Sequence, residues 1–177
     1  VVKNLPDDGI YRITCTVTDK AGNAFEEITL YRKDGTAYTA KRTGADDLLT
    51  FSVNRSGSVY EMTSYTAALT EKYYVQRVTE EVAIVEINAD PLISYVVTLG
   101  GKELQEGTDY TVSIEGGSGD WRKYTYHVQS TLFDAEGEYN LVISSVDGAE
   151  NDAFSDVKGA SIHFVVDRTA PVVAVSG

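Results

Sequence analysis

The feature that most constrains this chain is a stretch that occurs twice. Residues 7–23, Asp7-Asp8-Gly9-Ile10-Tyr11-Arg12-Ile13-Thr14-Cys15-Thr16-Val17-Thr18-Asp19-Lys20-Ala21-Gly22-Asn23, read as a turn, a strand and a second turn. Tyr11, Ile13, Cys15 and Val17 alternate with Arg12, Thr14, Thr16 and Thr18, the period of a strand with one buried face. Laying Gly9 on Gly137 also aligns Tyr11 with Tyr139, Asp19 with Asp147, Ala21 with Ala149 and Asn23 with Asn151, at an offset of 128 positions. Further on, Phe51-Ser52-Val53-Asn54-Arg55 lies on Phe164-Val165-Val166-Asp167-Arg168, at an offset of 113. The 15-residue difference is about the size of an extra hairpin, which we read between residues 24 and 47. A repeat this long means tandem domains, not a short-period solenoid.

The rest of the chain is a succession of short strands divided by Gly, Asn and Asp turns. Strands are predicted at Glu27–Tyr31, Thr36–Ala40, Leu49–Val53, Ser58–Met62, Val82–Ile87, Ile93–Leu99, Asp109–Ile114, Trp121–Val128, Gly137–Ile143 and Ala160–Val166. Gly100-Gly101 signals a two-residue hairpin turn, and Asn88-Ala89-Asp90-Pro91 is a strong stop. Only Tyr65–Tyr74 carries a helical pattern. The expected core of the complete unit is Val85, Ile87, Tyr95, Val97, Leu99, Tyr110, Val112, Leu141, Ile143, Ile162, Phe164 and Val166.

A net charge of −12 over 177 residues argues against binding nucleic acid or an anionic membrane, both of which need a basic patch. No apolar run approaches a membrane span of about 20 residues. Cys15, the single cysteine, has no disulfide partner and no Cys/His set for zinc; it reads as a small buried hydrophobe. Val1 starts abruptly without a signal peptide, and we read the chain as a piece of something longer.

Catalytic patterns are thin. His127 and His163 lie on distant strands with no Gly-x-Ser-x-Gly elbow, and both read as exposed strand residues. Adjacent acids such as Asp46-Asp47 and Glu80-Glu81 point to opposite faces of a strand and read as solvated surface. Asp147, Glu150, Asn151, Asp152 and Asp156 could attract calcium, but they lack an ordered oxygen pattern and read as an ordinary turn. The most suggestive exposed stretch is the Gly/Ser loop 116–120, which delivers Trp121. With Arg122, Tyr124 and Tyr126 it forms the candidate ligand-binding set, able to stack on a sugar or grip a peptide. The plainer reading packs Trp121 across the core.

Asp7-x-Gly9-x-Tyr11 resembles the tyrosine corner that opens strand F of an immunoglobulin-like sandwich. Together with Asp19-Lys20-Ala21-Gly22-Asn23 and the run Val166-Asp167-Arg168-Thr169-Ala170-Pro171-Val172-Val173, it resembles the bacterial immunoglobulin-like (Big-type) repeats of exported and cell-wall-attached proteins. The resemblance implies an all-β, immunoglobulin-like Greek-key β-sandwich in tandem. Residues 1–55 would be the C-terminal strands of one copy, 56–168 a complete copy, and 169–177 the start of a following one. Tyr11 and Tyr139 would be structural corners, and Pro171 would stiffen the seam while denying an edge strand one ladder donor. The first unit's strands cannot bury their apolar face alone. They are expected to pack on residues outside this chain, on the next domain or on a neighbouring molecule.

The expected function is a non-enzymatic spacer of a large bacterial surface or secreted protein, extracellular, contributing to adhesion, with no cofactor, catalytic residue or metal. Its partners would be neighbouring immunoglobulin-like domains in the same chain and a host protein or glycan. Alternatives are a carbohydrate- or protein-binding module using the Trp121 loop, or an accessory domain of an exported polysaccharide-active enzyme.

Overall fold

The computed structural model describes residues 5, 7–14, 18–23, 27–31, 35–41, 47–117 and 119–174. Cys15 and Val17, expected to face inward, lie outside them. Among the described residues the chain is mostly β, with one short α-helix and a 3-10 turn at Ser130–Phe133. Its elements are β1 (Gly9–Thr14), β2 (Glu27–Tyr31), β3 (Ala37–Lys41), β4 (Asp47–Val53), β5 (Val59–Met62), α1 (Ser64–Lys72), β6 (Tyr74–Val75), β7 (Val82–Asn88), β8 (Leu92–Leu99), β9 (Lys102–Glu103), β10 (Tyr110–Glu115), β11 (Arg122–Val128), β12 (Gly137–Asp147), β13 (Asp152–Phe154) and β14 (Ile162–Val166).

Near the N-terminus, β1 pairs antiparallel with β4, while β2 and β3 pair with each other where the sequence read an inserted hairpin. Beyond Val53 there are two larger sheets. One runs β10-β11-β7-β5, all antiparallel. The other runs β6-β14-β12-β8-β9, with β13 added on β12 and the β6–β14 pair parallel. The inward residues of both sheets form one cluster that includes Ile84, Tyr124 and Tyr126 from the first and Val97, Ile143 and Phe164 from the second. The rings of Tyr95 and Tyr126 meet edge-on across the sheets, 5.4 Å apart.

The short helix is capped as its sequence allows. Thr63 accepts a hydrogen bond from the Thr66 backbone N–H, and α1 buries Leu69 and Thr66 against the cluster. The helix stops at Tyr73, which takes a positive φ of 63° and returns its N–H to the Leu69 carbonyl at 3.1 Å.

Most expected core residues lie in the cluster or pack against it, but β7 is out of phase with the expectation. Ile84, Glu86 and Asn88 are buried, whereas Val85 and Ile87 are only half-buried on the opposite face. A period-2 reading normally points Glu and Asn outward. Here that reading chose the wrong face because the carboxyl of Glu86 has its own set of donors inside the protein.

Candidate functional site

Two β pairs place the same side chains in the same geometry. In the first, Tyr11 stands opposite Phe51, with rings stacked 5.9 Å apart at 20°. In the second, Tyr139 stands opposite Phe164, with rings stacked 5.6 Å apart at 29°. Each tyrosine hydroxyl donates to a carbonyl four residues back, Tyr11 to Asp7 at 2.7 Å and Tyr139 to Ala135 at 2.9 Å. The acid after that carbonyl turns to the end of the paired strand: Asp8 accepts from the Arg55 N–H, as Glu136 does from the Arg168 N–H.

The turns that follow also match. Asp19 accepts from the N–H groups of Ala21 and Asn23 at 2.8 and 2.9 Å, and Asp147 from those of Ala149 and Asn151, both at 2.9 Å. Both are Asx-type turns, in which a short carboxylate replaces missing backbone acceptors.

Asp147 differs from Asp19 in what else it holds. Its second oxygen accepts from the side-chain amides of Asn54 (2.8 Å), Asn88 (3.1 Å) and Asn151 (3.1 Å). Burial by itself would raise the Asp147 pKa. The amide and backbone donors of Asn151, Asn88 and Ala149 outweigh that and hold it below the ordinary carboxylate value.

Asn54, directly after β4, is therefore a joint between the N-terminal β pair and the larger sheets. Its amide also meets the side-chain oxygen of Asn88 at 2.8 Å and Asp90 at 3.2 Å, and its carbonyl accepts from Asn151 at 3.0 Å. Ser52 hydrogen-bonds Asp90, and Lys158 reaches the Ser56 carbonyl at 2.7 Å. Gly57 makes the exit turn at φ 69°; a Cβ there would sit 3.0 Å from that of Asn151.

Asn88 carries this network inward. It donates to Ser58, whose hydroxyl bonds Glu86, which is fully buried. Ser145 also bonds the Glu86 carboxyl, as does Tyr126 at 2.6 Å, while Tyr60 lies 3.1 Å from Ser145. The hydroxyls of Ser58, Ser145 and Tyr126 each have a hydrogen to point toward Glu86, so its carboxyl is met by donors from the protein itself. Burial and the negative charge of Glu86 push the Tyr126 and Tyr60 hydroxyls well above the usual tyrosine range, which keeps both as donors.

The loop before β11 lies beside the N-terminal pair. Arg12 of β1 donates to the Gly119 carbonyl at 3.3 Å and reaches Asp120 at 3.5 Å. A Cβ on Gly9 would be 3.9 Å from the Trp121 ring. Trp121 is 43% exposed, so it does not cross the core. Arg122 is half-buried and lines a groove of about 590 Å³ between β1, β4 and the turn at Asp90. Tyr124 and Tyr126 are a correction to the candidate set. They lie on the buried face of β11, Tyr124 accepting from the Leu92 N–H and Tyr126 donating to Glu86, so the four residues do not form one exposed platform. Alternation along the strand divides Trp121 from the two tyrosines.

The histidines are better connected than the sequence indicated. His163 meets Glu138 at 2.6 Å and its ring lies edge-on to Tyr73. His127 stands between Ser113 (Nε2 to Oγ, 3.1 Å) and Glu81 (Nδ1 to Oε1, 2.7 Å), the order of a hydrolase relay. Ser113 is exposed on the edge strand β10, and the groove described above includes none of the three. Acyl transfer also needs donors around a bound carbonyl, so the trio reads as a cross-strand surface contact. Among the described residues, no group of three or more His, Cys, Asp or Glu is placed to hold a metal, and no helix is long and apolar enough to cross a membrane.

No family model matches this chain, and no curated protein matches it.

Proposed function

We propose that this chain is a non-enzymatic structural segment built from tandem immunoglobulin-like sandwiches, resembling the Big-type repeats of bacterial exported and cell-surface proteins. In this reading β1 and β4 are the last two strands of one copy, and β5 to β14 make up the next. Pro171 stiffens the exposed exit toward a further copy. The observation that carries the reading is the repeated set of contacts at Tyr11–Phe51 and Tyr139–Phe164: ring stacking, corner hydroxyl, acid-to-backbone bond and Asx turn all recur at the offsets present in the sequence. Unrelated strand pairs have no reason to share all four.

A spacer also needs joints that keep successive units in line. Asn54, gripped by Asn88, Asp90, Asp147 and Asn151, supplies such a joint without the proline that marks the other seam. The proposed role is to hold another part of a bacterial surface protein away from the cell, in contact with its neighbouring copies. Antibodies raised against this chain test it on intact, unpermeabilised cells of the source organism. The expected result is labelling of the cell exterior; labelling only after permeabilisation would contradict the reading.

A further inference from the structure

The groove at the joint holds an arginine whose side chain is bonded by no other described residue. Arg122 is half-buried in its wall and has no hydrogen-bond or ion-pair partner among the described residues. A guanidinium presents five N–H donors in a planar fork. Leaving it unpaired in a concavity is costly unless water or a ligand meets it. Arg12 lines the groove from the opposite unit, tied among the described residues to the Gly119 carbonyl and, at 3.5 Å, to an Asp120 that is itself largely exposed. An exposed pair at that distance is weak and easily exchanged. Asp90, the acid in the groove, has both carboxylate oxygens occupied by Ser52 and Asn54. Thr50, opposite Arg12 on the same face of the β1–β4 pair, adds a hydroxyl.

We propose that this groove binds a saccharide bearing a carboxylate, with Arg122 and Arg12 taking the acid and Thr50 a sugar hydroxyl. The volume, about 590 Å³, falls within the range of small-ligand sites, roughly 300–1,000 Å³. A fork of donors matches a carboxylate in two parallel bonds. An acidic peptide brings a charge on each acidic residue and another at its C-terminus against a protein of net charge −12, whereas a saccharide with a single uronate sets one charge among neutral hydroxyls. The site exists only where the two units meet, since Arg12 and Thr50 come from one and Arg122 from the other. An occupant therefore clamps the joint as well as being bound by it.

The test is calorimetric titration of the whole chain with a disaccharide carrying one glucuronate, beside its neutral methyl ester and a glutamyl tripeptide. Saturable binding of the acid is expected, with the ester weaker by about tenfold or more, the scale of one charged hydrogen bond. Arg122→Gln and Arg12→Gln should each abolish that preference while keeping the wild-type melting temperature. Equal binding of acid and ester, binding indifferent to both substitutions, no saturable binding, or preference for the tripeptide would each overturn the proposal.

Discussion

Glu86 lies at zero exposure with no cation beside it among the described residues, and the hydroxyls around its carboxyl have hydrogens to give it. Ser58, Ser145 and Tyr126 supply three donors, and Asn88 and Tyr60 replace what the two serines give up. Glu86→Gln puts an amide where one of those donors points, and is expected to lower unfolding free energy by about 1–3 kcal/mol in urea titration. Glu86→Leu orphans all three donors and should cost more; a Leu variant as stable as wild type would show that the network contributes nothing. Asp147 makes a second prediction, in pH. Its folded pKa is depressed, so its contribution is fully present above the ordinary carboxylate value of 3.8 and fades as pH falls through the lower folded value. Asp147→Asn should flatten the stability curve of the whole chain below about pH 4 relative to wild type. An unchanged acid limb would contradict the assignment.

At the scale of elements, the sequence was readable where local chemistry sets the outcome. Gly100-Gly101 turns β8 into β9, the helical pattern from Tyr65 marks α1, and apolar–polar alternation marks β10. It was least readable where partners come from far away. The face of β7 depends on Ser58, Tyr126 and Ser145, 28 to 59 residues from Glu86, and no local pattern announces a buried acid. β13 is three residues long, too short for a periodicity to show. The loop before β11 looked like a free binding loop because its Gly and Ser residues indicate freedom; in the structure Gly116 is held in place. Its φ is 85°, and an added Cβ would sit 2.2 Å from the Trp121 carbonyl. Gly116→Ala must therefore displace the loop from Arg12 and Gly9. The single tryptophan reports this directly: its fluorescence should shift to longer wavelength as Trp121 gains exposure, while an unchanged spectrum would mean the loop adapts in place.

For the whole molecule, the joint was the least readable feature and the one on which the functional reading depends. The sequence aligned Asn54-Arg55 with Asp167-Arg168 at the end of a unit, but did not show that Asn54 is bound by residues 34 to 97 positions away. Those bonds couple the N-terminal pair to the core network through Asn88 and Asp147. The most direct measurement is a set of residual dipolar couplings from backbone amides of β1, β4, β7 and β12 in one aligned sample. A rigid joint predicts that all four strands fit a single alignment tensor, and that Asn54→Ala separates β1 and β4 from the rest. Two independent tensors in the wild-type chain would contradict the account.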